Sequence, residues 1–318
     1  MVKKYIIMCG GNYSTYFEKP RQLSVVMGEV LVERTIRLLR ENGIEDISIS
    51  TNYRDFDYLG VPILEHENSY RTVGKEVKGY WCDAFYPTDE PTCYIFGDVY
   101  FSNGAIKKII ETDTDDIEFF GSKKPFTKEY PKSHEEPFAL KVVNTNHLKE
   151  AIKKTKKLED EGKFWRKPIM WELWTVIKNT PLQKKPGEYP ADYVGINDYS
   201  SDIDRVDDIR KLEIMLGGRK MIKLEALEDF TIRKFKELRN IQRKDSNKKQ
   251  DGWIYLGDIF ECDEDMYKYL TGDNPYQRTF VKVIEVIPEK KEEPKIETEV
   301  ITEKPKPRKK AVIRKAKK

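Results

Sequence analysis

The sequence predicts an α/β fold over residues 1–217, a mainly parallel sheet sandwiched by helices. Three observations predict it. The apolar run Lys4–Cys9 stops at Gly10-Gly11, as a buried strand does when it enters a glycine loop. Residues 29–42 then follow helical spacing, with Val32, Ile36 and Leu39 on one face and Gly43 where a helix stops. Residues 46–51 alternate as a second strand, which completes a right-handed βαβ unit within about 50 residues.

The same rhythm continues along the chain. Val61–Leu64 reads as a short strand, Thr72–Phe85 as a helix, and Thr92–Phe96 as a strand that ends in Gly97-Asp98. Ala105–Glu111 reads as a helix, and Ile117–Gly121 and Phe138–Val143 as strands. His147–Leu158, Trp171–Ile177 and Asp207–Leu216 have helical patterns, the last behind an acidic turn. Alternation of strand and helix is the signature of a parallel sheet with helices on both faces. Gly217-Gly218 marks a change of composition. Residues 219–288 are expected to form a small α+β module, with Phe230–Leu238 as helix or strand, then a strand in Gly252–Phe260, a short helix in Met266–Leu270 and a strand in Thr279–Val286. Residues 289–318 are low-complexity Lys, Glu and Pro, a composition expected to be disordered.

Charge narrows the function classes. The whole chain carries +3, but residues 289–318 hold 12 Lys/Arg against 6 Glu, which leaves the first 288 residues net negative. The basic character therefore belongs to the tail, and a nucleic-acid-binding fold is not indicated. The tail itself has two readings, a solvated inert extension or a weak contact with nucleic acid or an anionic surface. No run of 18 apolar residues suggests a membrane span, and the opening residues do not read as a signal peptide, so a cytoplasmic location is expected. Cysteines 9, 82, 93 and 262 lack Cys-x-x-Cys spacing, and the three histidines are scattered, so neither a zinc ribbon nor a histidine metal triad is expected.

The chemistry-bearing residues sit at strand ends. Gly10 and Gly11 read either as a tight turn or as a loop whose backbone N–H groups approach phosphate oxygens. Asp98, after a buried strand, points into the crevice where open α/β sheets bind ligands; the bland alternative is a helix N-cap. Gly97 before it favours close approach of something bulky, such as a nucleotide. In Asp202-Ile203-Asp204-Arg205-Val206-Asp207-Asp208, the last two aspartates fit a helix N-terminus. Asp204 and Asp98 form the carboxylate pair that a Mg²⁺ on a triphosphate needs.

Taken in order, these segments resemble the nucleotidyltransferase superfamily of the glycosyltransferase-A type, a Rossmann-like group that includes sugar-phosphate nucleotidyltransferases, cytidylyltransferases and the molybdenum-cofactor guanylyltransferase. The resemblance rests on Gly10-Gly11, Pro20-Arg21-Gln22-Leu23, Gly28–Arg34, Gly43-Ile44-Glu45-Asp46-Ile47, Gly97-Asp98 and Asp202–Ile209, and spans about two thirds of the chain. It implies Mg²⁺-dependent transfer of a nucleotidyl group from a nucleoside triphosphate to a phosphorylated small-molecule acceptor, a sugar phosphate or a choline-phosphate-like compound. It implies Asp98 and Asp204 as metal ligands, and Gly10, Gly11, Asn12, Ser50, Thr51, Asn52 and Gly97 at the nucleotide. Arg21, with Lys19, would offset charge at the α-phosphate. Glu136, Trp165, Arg166 and Trp171 fall where the superfamily binds its acceptor, although Trp171 and Trp174 at i, i+3 also read as a core stripe. Two departures stand out: the loop is Gly-Gly-Asn12-Tyr13-Ser14-Thr15, and Arg21 stands in place of a lysine. Three alternatives stay open: a degenerate nucleotide-binding relative, a glycosyltransferase of the same fold, and a nucleic-acid-interaction protein acting through residues 219–318. The 219–288 module resembles short modules of uncharacterised bacterial and phage proteins.

Overall fold

A computed structural model of the chain describes residues 2–10, 17–66, 68–73, 76–122, 135–183, 192–218, 220–231, 238–247, 252–272 and 279–287. Strand β1 (Lys4–Met8) is followed by a 3-10 turn at Arg21–Leu23 and by the short hairpin β2 (Val25–Val26) and β3 (Glu29–Val30). Helix α1 is Leu31–Glu41. It starts two residues later than the spacing predicts, because Glu29 and Val30 pair with Val26 and Val25. Glu29 there anchors Arg34 and Arg37 at 3.0 and 2.7 Å. Strand β4 (Asp46–Thr51) and β5 (Ile63–Glu65) follow as predicted, within a residue or two.

The predicted helix over 72–85 is not formed. The chain makes the hairpin β6 (Arg71–Val73) and β7 (Glu76–Lys78), then a 3-10 turn at Trp81–Ala84. Thr72, Val73 and Val77 are β-branched, and glycines at 74 and 79 interrupt any helix. Gly79 takes φ +73°, and a Cβ there would lie 1.9 Å from the Ser69 carbonyl oxygen.

Strand β8 (Thr92–Phe96) leads into β9 (Val99–Tyr100), α2 (Asn103–Glu111), β10 (Ile117–Ser122), β11 (Pro137–Val142), α3 (Thr145–Asp160), α4 (Met170–Ile177), β12 (Val194–Ile196), β13 (Ser201–Asp202) and α5 (Val206–Leu216). The main sheet has seven strands in the order β12-β10-β11-β8-β1-β4-β5. Only β11 runs against the rest, since it pairs antiparallel with both β10 and β8. From β1 the chain first adds β4 and β5 on one side and then places β8 on the other. The order reverses between β1 and β8, so the crevice beyond their carboxyl ends is the topological switch point.

The core of this sheet is built from Ile6, Ile7, Ile49, Ile95, Phe119 and Leu140, all fully buried, with α1–α4 packed on it. Trp171 and Trp174 belong to this core, both in contact with Phe119. A smaller cluster of Val26, Leu31, Tyr100, Ile203, Leu212 and Leu216 joins the β2–β3 hairpin to α5 behind the switch point.

Helix α5 ends at Gly217 in the left-handed region. Beyond it come β14 (Met221–Ala226), β15 (Phe230–Thr231), β16 (Arg239–Gln242), β17 (Trp253–Ile254), β18 (Ile259–Asp263), α6 (Glu264–Thr271) and β19 (Val281–Ile287). Four of these strands form an antiparallel sheet in the order β16-β18-β14-β19, around a separate core of Ile222, Leu224, Phe260 and Leu270. The Phe230–Leu238 segment opens as strand, and residues 232–237 lie outside the described set, as does the tail 289–318. The buried Asp263 ties this sheet to α5: Arg210 donates to it through Nε and Nη2, each at 2.5 Å. Among the described residues no helix is long and apolar enough to cross a membrane. The four cysteines are buried and free.

Candidate active site

The site assembles where β1, β4 and β8 end. Met8 pairs with Phe96 on one side and Ser50 on the other, so Gly10, Asn52 and Gly97-Asp98 emerge at the same level. Cys9 N–H donates to the Ser50 carbonyl at 2.8 Å, and the Thr51 hydroxyl donates to the Cys9 carbonyl at 3.0 Å. Ser50 and Thr51 are buried and brace the strand ends, while Asn52 is exposed at the mouth. Gly10 has an ordinary negative-φ backbone, so a left-handed turn does not explain it. Among the described residues a Cβ at Gly10 would meet only Asn52 Oδ1, at 3.8 Å. Gly11 and Asn12 lie outside the described residues.

Close approach of protein accounts for the glycine at 97. A Cβ there would lie 2.6 Å from Cys9 Sγ, 2.9 Å from the Met8 carbonyl oxygen and 3.2 Å from Gln22 Cγ. The close approach expected at this position is therefore made by the end of β1 and by the Arg21–Leu23 turn. The buried Gln22 seats that turn on Gly97 and carries Arg21 beside Asp98.

A two-strand ladder brings in the second aspartate. β9, directly after Asp98, pairs antiparallel with β13: Val99 faces Asp202 and Tyr100 faces Ser201. Ile203 N–H donates to the Asp98 carbonyl at 2.9 Å, which sets Asp204 next to Asp98. The Arg21 guanidinium bridges the two carboxylates, with Nη2 at 2.5 Å from Asp98 Oδ2 and Nη1 at 2.5 Å from Asp204 Oδ1. Asp98 is not a helix cap. That place belongs to Ser102, whose hydroxyl accepts from Ala105 N–H at 2.9 Å. Asp208 does cap: its carboxylate accepts from the Arg205 N–H at 2.9 Å at the start of α5.

The electrostatics are those of a site with surplus negative charge. The Asp204 carboxyl, whose side chain stays 56% exposed, is held above its ordinary range, first by partial loss of surrounding water and then by Asp202, with Asp98 and Asp208 adding to it and Arg21 opposing. Asp98, followed by Asp204 and Asp202, strengthens the charge on Arg21 against the opposing effect of burial. Burial, with Asp98 nearby, pushes the Cys9 thiol well up, so Cys9 is a packing residue rather than a nucleophile.

This donor set fits a hard divalent cation: two carboxylates from distant segments already converge on one positive charge, and Mg²⁺ binds through one or two carboxylates plus phosphate and water. Among the described residues no group of three or more His, Cys, Asp or Glu side chains is arranged to hold a metal ion. Lys19 is exposed beside the Arg21 turn.

The residues predicted to hold an acceptor are dispersed. Glu136 is buried and its Oε2 accepts from Asp202 N–H at 3.4 Å, which places it under the ladder. Arg166 is committed to the buried Glu172, with its Nε at 2.6 Å, and stacks on Trp165 at 5.0 Å. Trp171 is only 2% exposed and packs edge-on against Phe119 and Tyr193 at 5.0 and 5.3 Å. The core-stripe reading is the correct one for Trp171, because its ring has no face left for a ligand. Sequence reasoning passed over Gln22 and the β9–β13 ladder; two-residue strands carry no periodic signal.

No family model and no curated protein matches the chain. Solved structures do. A CTP:phosphocholine cytidylyltransferase from Streptococcus pneumoniae is 21% identical, over 68% of this chain and 100% of that one, with a TM-score of 0.41. The 2-C-methyl-D-erythritol 4-phosphate cytidylyltransferase of Thermus thermophilus is 13% identical over 68% and 98%, with a TM-score of 0.41. The inositol-1-phosphate CTP transferase of T. maritima is 17% identical over 67% and 96%, with a TM-score of 0.39.

Proposed function

We propose that the chain transfers a nucleotidyl group from a nucleoside triphosphate to a phosphorylated small-molecule acceptor, with Mg²⁺, and releases pyrophosphate. The observation that carries this reading is the convergence of Asp98 and Asp204 on Arg21 at the switch point. In the reaction an acceptor phosphate oxygen attacks the α-phosphorus, the bond from that phosphorus to the β-phosphate oxygen breaks, and pyrophosphate leaves. Such a step asks for positioning and charge neutralisation rather than a covalent intermediate. Asp98 and Asp204 would hold the Mg²⁺, which when bound neutralises the triphosphate. Arg21 and Lys19 bind phosphate oxygens, Arg21 through its planar fork. Gly10, where a Cβ would touch Asn52 Oδ1 at 3.8 Å, lets backbone come close to the phosphates, and Asn52 lies at the same mouth. Glu136 supports the strand before Asp204 and acts on the site through it.

Thermal melts with CTP, UTP, GTP and ATP, with and without Mg²⁺, test the reading; a Mg²⁺-dependent rise with one or more of them is expected. Asp98→Ala should abolish that rise and Mg²⁺-dependent pyrophosphate release while the protein stays folded. Unaltered turnover in that variant would sink the proposal. Release of a nucleoside diphosphate from a nucleotide sugar would point instead to a glycosyltransferase.

A further inference from the structure

We propose that Arg21 is a tethered counter-cation: without nucleotide its guanidinium holds the place between Asp98 and Asp204 that a divalent ion takes when nucleotide is bound, so ion and guanidinium exclude one another. The inference rests on the reading above that these two carboxylates are the metal ligands. Its basis is the way the fork is spent. A guanidinium meeting a single carboxylate lays two nitrogens against the two oxygens of that one acid. Here each terminal nitrogen takes a different acid, both at 2.5 Å. The group therefore sits in the gap between the two aspartates, and a metal–oxygen distance of about 2.0–2.1 Å leaves no room for both cations. A lysine, with a single point charge, could not span the pair in this way.

The surroundings favour this arrangement. Asp202 and Asp208 add to the negative charge felt at Asp204. A cation among these groups offsets their mutual repulsion. The Arg21–Leu23 turn is seated by the buried Gln22 against Gly97, so the guanidinium is always close at hand and competes with a free ion as a tethered one. A triphosphate changes the balance twice over: it brings its own divalent ion, and it offers the displaced fork a new anionic partner. Metal uptake is then coupled to nucleotide, and the ion alone binds weakly.

The test is Mn²⁺ binding to the full chain without nucleotide, followed by calorimetry and by the electron paramagnetic resonance of the free ion. Arg21→Gln should bind Mn²⁺ at least tenfold more tightly than the unaltered chain, a change of about 1.4 kcal/mol. Arg21→Lys, which keeps the charge and loses the fork, should tighten binding by a smaller factor, and it serves on its own if the glutamine variant does not fold. Asp98→Asn added to Arg21→Gln should remove the gain. Melting gives a second readout: the glutamine variant should melt lower than the unaltered chain without ion, and saturating Mn²⁺ should raise its midpoint more. Equal Mn²⁺ affinity with and without Arg21, at a site lost in Asp98→Asn, would overturn the counter-cation and leave the metal ligands standing. No Asp98-dependent Mn²⁺ binding in any variant would overturn both.

Discussion

Replacing Gly97 with alanine tests how the site is held. The new Cβ would stand 2.6 Å from Cys9 Sγ and 2.9 Å from the Met8 carbonyl oxygen. That oxygen cannot retreat, because it accepts the Gly97 N–H at 3.1 Å within the β1–β8 pairing. Cys9 is fully buried, so its sulfur has nowhere to swing. Overpacking of this kind costs about 1–3 kcal/mol. For a domain of this size each kcal/mol moves the midpoint by about 2–4 °C, so a fall of roughly 2–12 °C is expected. The matched control is Gly10→Ala, two residues beyond β1, whose Cβ would meet, among the described residues, only Asn52 Oδ1 at 3.8 Å on a backbone open to any residue. Its stability should change by less than about 0.5 kcal/mol. Adding Cys9→Ala to Gly97→Ala removes the sulfur but not the carbonyl, and should recover part of the loss, a coupling that a double-mutant cycle isolates. Calorimetric or circular-dichroism melts of the five proteins, Cys9→Ala included, decide the matter. Were Gly97→Ala to melt with the unaltered chain, or Gly10→Ala to fall equally far, the close-packing account of the switch point would be wrong.

Three further outcomes follow from the same geometry. Because partial loss of surrounding water and like charges raise the Asp204 carboxyl, whose side chain is still 56% exposed, the native state keeps its proton to higher pH than the unfolded chain; the stabilising contribution is complete below the ordinary value of 3.8 and is lost as pH rises through the raised one. Asp204→Asn should therefore gain in midpoint, relative to the unaltered chain, between pH 4 and pH 7, and a gap that stays constant or shrinks would contradict the assigned cause. Asp263→Ala removes the acceptor for the Arg210 Nε and Nη2 contacts and the cap on Met266 N–H at 3.0 Å, taking a carboxylate from a largely shielded guanidinium. Urea unfolding should show a loss of about 3–5 kcal/mol, with Asp263→Asn losing less because its side-chain oxygen still caps. Ser102→Ala removes the α2 cap and the hydrogen bond that the hydroxyl donates to the buried Asp198 at 2.5 Å, and should lower stability by at least about 1 kcal/mol with the proposed Mg²⁺-dependent nucleotide response retained; loss of that response would place Ser102 in the site.

Local pattern made much of this protein legible. The run Lys4–Cys9, the α1 period and the alternation at 46–51 each bury one continuous face, and burial of that kind is written in residue spacing. The strand end at Gly97-Asp98 and the acidic helix start at Asp207-Asp208 were legible for the same reason. The 72–85 segment was misread because its apolar spacing suits a helix, while β-branched residues and two glycines favour a hairpin. Trp171 was assigned to an acceptor by its place in the chain; only packing against Phe119 and Tyr193 shows that its ring is used up in the core.

By itself the sequence determined the alternation of strand and helix and the residue types that wait at the strand ends, because these depend on neighbours a few positions apart. Tertiary structure alone decided that β11 runs backwards, that a ladder of two-residue strands carries Asp204 to Asp98, and that Arg21 lies between them. Those are contacts between segments separated by about 20 to 180 positions, and they are set by which surfaces the folded sheet leaves facing one another.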